Sequence, residues 1–353
     1  MNFRIIFATL SIIVPLGADT VYTIPQGYTK ITIASADDDG SSVTPKLSAI
    51  SVSLLNDVAH SSASTLGAFI PDTDPQAFTD GEGNKYSSQE ISVSGGATWT
   101  ETEWTAMHHL AYISVADDAN NADGIAPAEE AFLILENTTS GTFKIATDSD
   151  ISTRFPANPS IKIRKANTIS TILASPSVPF DANDRVNFWN GSQWQSVRLV
   201  ATVWRDSSSF ADASNTVVFP EEGLFIERAV ALDLVLTLFG EVPAAPQIAT
   251  LTDSGFLATR HPIPTAFPDL NIGNANWDDS NGDRVYLWDA ANKEWVGYRF
   301  LGGVWRNSVN FEDASSLLVN GNSAVFVSRG SATSPENGSI TPTLPYNPFG
   351  PAE

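Results

Sequence analysis

One stretch of this chain is written twice. DRVNFW at 184–189 returns as DRVYLW at 283–288, and WQSVRLVATVWRDSSSFADAS at 194–214 returns as WVGYRFLGGVWRNSVNFEDAS at 295–315. With the unequal turns NGSQ and DAANKE set aside, the copies agree at 17 of 41 positions through Arg228 and Arg329. Three tryptophan pairs are among the matches: Trp189/Trp288, Trp194/Trp295 and Trp204/Trp305. A period of about one hundred residues is too long for a solenoid repeat or a propeller blade, so it reads as a duplicated small domain.

The local pattern is that of strands. Val186 and Phe188 alternate with Arg185 and Asn187, and Val285 and Leu287 with Arg284 and Tyr286. Side chains two apart share a face in a strand, so each copy carries an apolar sheet face. The next strand repeats this with Val197 and Leu199, matched by Tyr298 and Phe300. The closing LFIER and VFVSR strands, with Phe225 and Phe326 in equivalent places, are expected to cover that face. Short alternating or β-branched runs elsewhere (Lys30–Ala34, Leu47–Leu55, His109–Val115, Ala131–Leu135, Thr142–Ala146, Ser160–Ile163) are divided by Gly, Asp, Asn and Ser clusters. Thr168–Leu173 and Pro264–Leu270 each have room for one helical turn. The expected fold is all-β: tandem small β-sandwich or barrel-like modules, a β-rich N-terminal domain and few short helical turns. The expected division is residues 1–18, 19–140, 141–245 (copy 1) and 246–353 (copy 2). In copy 2 a Pro-rich tail stands where copy 1 has the strand ALDLVLTLFGEVP.

Residues 1–18 carry Arg4, an apolar run from Ile5 to Leu16, and Gly17-Ala18. That is the layout of a cleaved signal peptide, with the mature chain starting at Asp19 and no membrane insertion after cleavage. The expected location is extracytoplasmic, either secreted or periplasmic. No cysteine is present in the chain, so its modules must rest on hydrophobic cores and not on disulfide staples. Forty acidic against nineteen basic residues leave a net charge of −21, a field that repels nucleic acid and anionic lipid. Extracellular polysaccharide, or self and surface proteins, are the partners left open.

Each repeated feature admits a structural and a functional reading. A tryptophan buries a large area and anchors a small core, and the same ring on a surface is a stacking platform for a sugar. Core is the expectation for the repeated tryptophans as a set. Trp194 and Trp295, flanked by polar turns, are the candidates for glycan contact. Arg198/Arg299 and Arg205/Arg306 are expected to pack on rings or pair with acids. Asp212–Ser214 and Asp313–Ser315 read as turns, because Asp and Ser side chains bond nearby backbone N–H groups. The acidic loops before each copy (Asp181, Asn183, Asp184; Asp278, Asp279, Asn281, Asp283) are Asx turns on the plainer reading. Ca²⁺ takes six to eight oxygen ligands, so Asp278, Asp279 and Asp283 are the candidate ligands if a cation sits there. The spacing fits no EF-hand, and DDANNADG at 117–124 does not either.

His108-His109 is the one local histidine cluster, and neighbours on a strand point to opposite faces. HExxH, GxSxG and phosphate-cradling glycine loops are absent. The expectation is a non-enzymatic, cofactor-free protein. A structural or surface-associated role leads, a glycan-binding module is the alternative, and a hydrolase ranks third.

VYTIPQGYTKITIA at 21–34, SGTFKIATDSDIS at 140–152, the DRVNFWNGSQWQSV…VWRDS core and the EEGLFIER and LTLFGEV endings form one layout. It resembles a family of exported, highly paralogous proteins of uncharacterised function expanded in Verrucomicrobia and their relatives. The second copy, HPIPTAFPDLNI…DRVYLWDAANKEWVGYRF…VWRNS, is similar to that family's repeated C-terminal unit. The resemblance implies a bacterial, exported protein and brings no catalytic or binding residue with it. NGNSAVF at 320–326 departs from the family's usual Pro-Gly turn.

Overall fold

In a computed structural model the alternating segments form antiparallel ladders. The structure describes residues 26–38, 43–80, 83–95, 99–100, 103–104, 108–115, 126–138, 141–190, 193–274, 277–333 and 335–346. The signal-peptide reading and the 117–124 loop lie outside them.

Copy 1 is a five-stranded sheet in the order Val203–Asp206, Trp194–Val200, Arg185–Trp189, Gly223–Arg228, Lys46–Ser51. Copy 2 repeats the order with Val304–Asn307, Glu294–Leu301, Arg284–Asp289, Ala324–Ser328 and Gly255–Ala258. The closing strand is therefore not a cover. It is hydrogen-bonded beside the DRV strand, with Phe225 opposite Asn187 and Phe326 opposite Tyr286. That register turns Leu224 and Ile226 to the core and both phenylalanines to the other face.

The true cover of copy 1 is a ribbon of Gln26–Ile33 paired antiparallel with Leu234–Glu241. Ile31, Ile33, Leu234, Leu236 and Leu238 reach from it into a core with Val186, Val197, Trp204 and Ile226. Copy 2 has a shorter equivalent, in which Gln247–Thr250 pairs with Ser339–Ile340. The Pro-rich tail thus supplies the final strand that its sequence conceals, and Ile340 enters a core with Val285, Val325, Val327 and Trp305. The helical turns form at Ile169–Ile172, with Thr168 in a capping box, and at Phe267–Leu270.

Between Lys46–Ser51 and the return of copy 1 at Asn167–Thr168 lies a closed barrel of six strands. Thr142–Ala146, Ser88–Val93, Val58–Ile70, Ser160–Lys165, His109–Ser114 and Glu129–Asn137 pair in that order, and the last pairs back with the first. Ile91, Ile113, Ile134, Phe143, Ile145, Ile161 and Ile163 fill its interior. Strand pairing groups the described residues differently from the linear expectation: Gln26–Ile33 and Lys46–Ser51 pair with copy 1, while Thr142–Ala146 and Ser160–Lys165 belong to the barrel. The barrel is an insertion into copy 1, and in copy 2 a short link joins Gly255–Ala258 to Thr265–Ala266 at the same point. Glu129–Asn137 pairs in parallel with Gln247–Thr250, which ties the barrel to copy 2. No helix among the described residues is long and apolar enough to cross a membrane.

Candidate functional site between the two copies

Alternation leaves each sheet a second apolar face. Phe225, Trp189, Trp194 and Ala49 lie on it in copy 1, because Trp189 is opposite Trp194 and Phe225 opposite Ala49. Phe326, Trp288, Trp295 and Phe256 are their counterparts. The two faces pack on each other as one cluster around Phe225, Phe256 and Ala324. The Phe225 and Phe256 rings stack at 4.6 Å with 13° between planes. Gly223 permits this approach, since a β-carbon there would lie 2.3 Å from that of Ala324. The contact is isologous in pattern. Ser51 N–H donates to the Asn322 carbonyl and its counterpart Ala258 N–H to the Glu221 carbonyl, both at 2.7 Å. Lys293 adds an ion pair to Asp37 at 2.5 Å.

The tryptophan pairs separate by depth. Trp204 and Trp305 are core, 5% and 2% exposed, while Trp194 and Trp295 keep 41% and 38% of their surface. Trp288 Nε1 donates to the Leu47 carbonyl at 3.0 Å across the interface, whereas the Nε1 of its counterpart Trp189 is buried without a partner. Trp194 and Trp295, which came from opposite copies, meet at one mouth of the interface. They line a cleft of about 350 Å³ with Tyr286, Phe326 and Ser328. The Phe326 centroid lies 6.2 Å from each indole.

The acidic loops have mechanical partners. Asp184 is buried against Arg228 and accepts from Ala229 N–H at 2.8 Å. Asp283 repeats this with Arg329 at 3.2 Å and Gly330 N–H at 2.7 Å. In both copies the Asp of DRV thus locks the Arg that ends the closing strand. Asp278 caps the turn at Asp279–Asn281; the Ser280 hydroxyl, with the backbone N–H groups of Asn281 and Ser280, holds its carboxyl below the usual range. Asp279 pairs with Arg284 at 2.9 Å and Arg299 at 2.5 Å. The three candidate Ca²⁺ ligands therefore face protein donors, and no group of three or more His, Asp or Glu among the described residues is arranged to hold a metal ion.

The repeated arginines stack on phenylalanines and not on the indoles: Arg198 over Phe210 at 4.8 Å and Arg299 over Phe311 at 5.3 Å. Arg205 and Arg306 donate to the Phe210 and Phe311 carbonyls, whose residues take left-handed φ of 60° and 62°. Asp212 and Asp313 accept from the N–H of Ser214 and Ser315, as turn residues do. Asn137 ends a barrel strand, and its side chain accepts from Trp104 N–H and donates to the Thr100 carbonyl. His261 is fully buried, and burial with Arg260 beside it pushes its pKa to about 4.

Sequence reasoning missed Glu221 and Glu222. They border a second cleft of about 230 Å³ with Trp189, Thr250, Asp253 and Ser254. Burial pushes Glu222 up to about 7 against a hydrogen bond from Phe219 N–H. Glu221 is raised by burial and by Glu222. Copy 2 has Asn322 and Ser323 at these places, so the available signal was a difference between the copies, not a shared residue.

No family model and no curated protein matches the chain. Among solved structures it is similar to the VP16-VP17 complex, a complex of the two major capsid proteins of bacteriophage P23-77, at 7% identity over 61% of this chain and 98% of that one. The TM-score is 0.14, too low an overlap to relate the folds.

Proposed function

We propose that this is an exported, surface-associated structural protein that works without catalysis. One observation carries the reading: the residues the two copies share are engaged in architecture. Asp184–Arg228 and Asp283–Arg329 lock loops to strands, Trp204 and Trp305 anchor cores, and Phe225, Phe326, Trp189 and Trp288 join the copies. Selection for a reaction would instead hold a polar constellation in common, whereas the shared Asp184/Asp283, Arg205/Arg306 and Asp212/Asp313 are taken up in ion pairs and turns. The acidic charge suits solubility outside the cell, and the family resemblance agrees with export. A second reading, glycan binding, is favoured by the exposure of Trp194 and Trp295.

Location is tested by protease shaving of intact native cells and by N-terminal sequencing of the recovered protein. Surface-accessible protein starting near Asp19 is expected. Protein retained inside the cytoplasm with Met1 intact refutes the proposal.

A further inference from the structure

Trp194 and Trp295 pack across the interface on Phe256, Phe326 and Phe225, yet the cleft they wall stays open to solvent. We propose that it binds a pyranose unit of a neutral polysaccharide, with the sugar ring held between the two indoles over Phe326.

Four observations carry this. Each tryptophan keeps about two-fifths of its surface open although both also touch Phe225, Phe256 and Phe326, so their exposed area is held in place by the rings behind it. A platform fixed in this way loses little side-chain entropy when a ligand arrives. Next, the volume of about 350 Å³ lies at the lower end of small-molecule sites, which run about 300–1,000 Å³. That admits one or two sugar rings of a longer chain entering from solvent.

Then there is polarity. Tyr286 and Ser328 bring hydroxyls to an otherwise aromatic lining, and neither hydroxyl has a hydrogen-bond partner among the described residues. A ligand with flat C–H faces and a hydroxyl edge satisfies both kinds of surface: its C–H groups meet the electron-rich ring faces, and its edge meets the two hydroxyls. Finally, the net charge of −21 opposes uronic-acid and sulfated polymers, which selects neutral sugars.

Apart from Trp194, the lining comes from copy 2. Copy 1 has Asn187 and Glu227 where copy 2 has Tyr286 and Ser328, so duplication gave two such positions and only the latter combines ring and hydroxyl.

The test is titration of the full chain with neutral oligosaccharides of glucose, mannose, galactose and xylose in α and β linkage, followed by tryptophan fluorescence and calorimetry. At least one should bind with a Kd of roughly 1 mM or tighter. Trp194→Ala/Trp295→Ala should weaken it at least tenfold. If that variant does not fold, Tyr286→Phe/Ser328→Ala decides. It removes only the two hydroxyls, should leave the melting temperature within about 1 °C, and should weaken binding several-fold. No binding by any member of the panel overturns the proposal, as does binding that survives these substitutions. Binding of a proline-rich peptide at the same tryptophans, with none of the sugars bound, also overturns it, because that is another use of an aromatic groove.

Discussion

Truncating Trp305 should nearly dismantle copy 2 while truncating its repeat-mate Trp295 should not. Trp305 is 2% exposed and touches Phe267 at 4.7 Å, Phe300 at 5.1 Å and Trp277 at 5.2 Å. Trp305→Ala removes the largest of the fully buried side chains among the described residues and leaves a cavity that three aromatic neighbours cannot all collapse into. Such core truncations cost roughly 3–5 kcal/mol. For a domain the size of Gln247–Ile340, each kcal/mol moves the midpoint by roughly 4–8 °C. The low ends of both ranges give a fall of about 12 °C. Trp295 leaves water in contact with two-fifths of its surface, so Trp295→Ala should move the transition less than half as far. Differential scanning calorimetry reads both, and a separate low-temperature transition in Trp305→Ala would identify copy 2 as the unit that melts. If Trp305→Ala stays within about 3 °C of wild type, or Trp295→Ala falls as far as it does, the assignment of core and surface tryptophans is wrong.

Two further outcomes are expected. Asp283→Asn leaves Arg329 buried without its counter-charge, which should cost roughly 3–5 kcal/mol in a urea titration, while replacing both partners with leucine should cost less; equal costs for the single and double variants would remove the ion pair from the account. Glu222 has its pKa raised from the ordinary 4.5 to about 7, so the folded state holds this proton more tightly than the unfolded state. Its contribution to stability is full below pH 4.5 and lost as pH rises through about 7. Glu222→Gln should therefore raise the melting temperature at about pH 8 and flatten its fall between about pH 5 and 8, and an unchanged pH profile would refute the burial of that carboxyl.

The repeated core was legible because its strands are contiguous and alternate with period two, so Val186, Val197, Val285 and the helical turns at Thr168 and Pro264 stood out. The exposure of Trp194 and Trp295 was legible from the polar turns beside them. The front of copy 1 was not. Gln26–Ile33 and Lys46–Ser51 pair with strands, Leu234–Glu241 and Gly223–Arg228, that follow only after the barrel, and sequence distance hides that pairing. Val58–Ile70 was missed for a different reason. It reads VAHSSASTLGAFI, and the serines and alanines facing along it give no apolar stripe although the strand completes the barrel by pairing on both edges. The Ser339–Ile340 strand is two residues long in a proline-rich tail, too short for any periodicity.

Duplication also explains where novelty can arise in this molecule. An isologous contact fixes each shared residue twice, so changing Phe225 or Phe326 disturbs the same interface from one side or the other. Positions where the copies differ carry no such double constraint. Asn322 uses that freedom structurally, accepting from the Ser53 hydroxyl and donating to Thr29 Oγ1 at 2.8 Å, and so staples the front strands of copy 1. Its counterpart Glu221 makes no equivalent staple and instead borders a cleft beside the unpartnered Trp189 N–H. Tyr286 and Ser328 likewise differ from Asn187 and Glu227, and they are the residues that turn one mouth of the interface into an aromatic cleft with hydroxyls. Symmetry built the scaffold, and the Glu221 cleft and the Trp194–Trp295 cleft are each framed in part by residues on which the copies disagree.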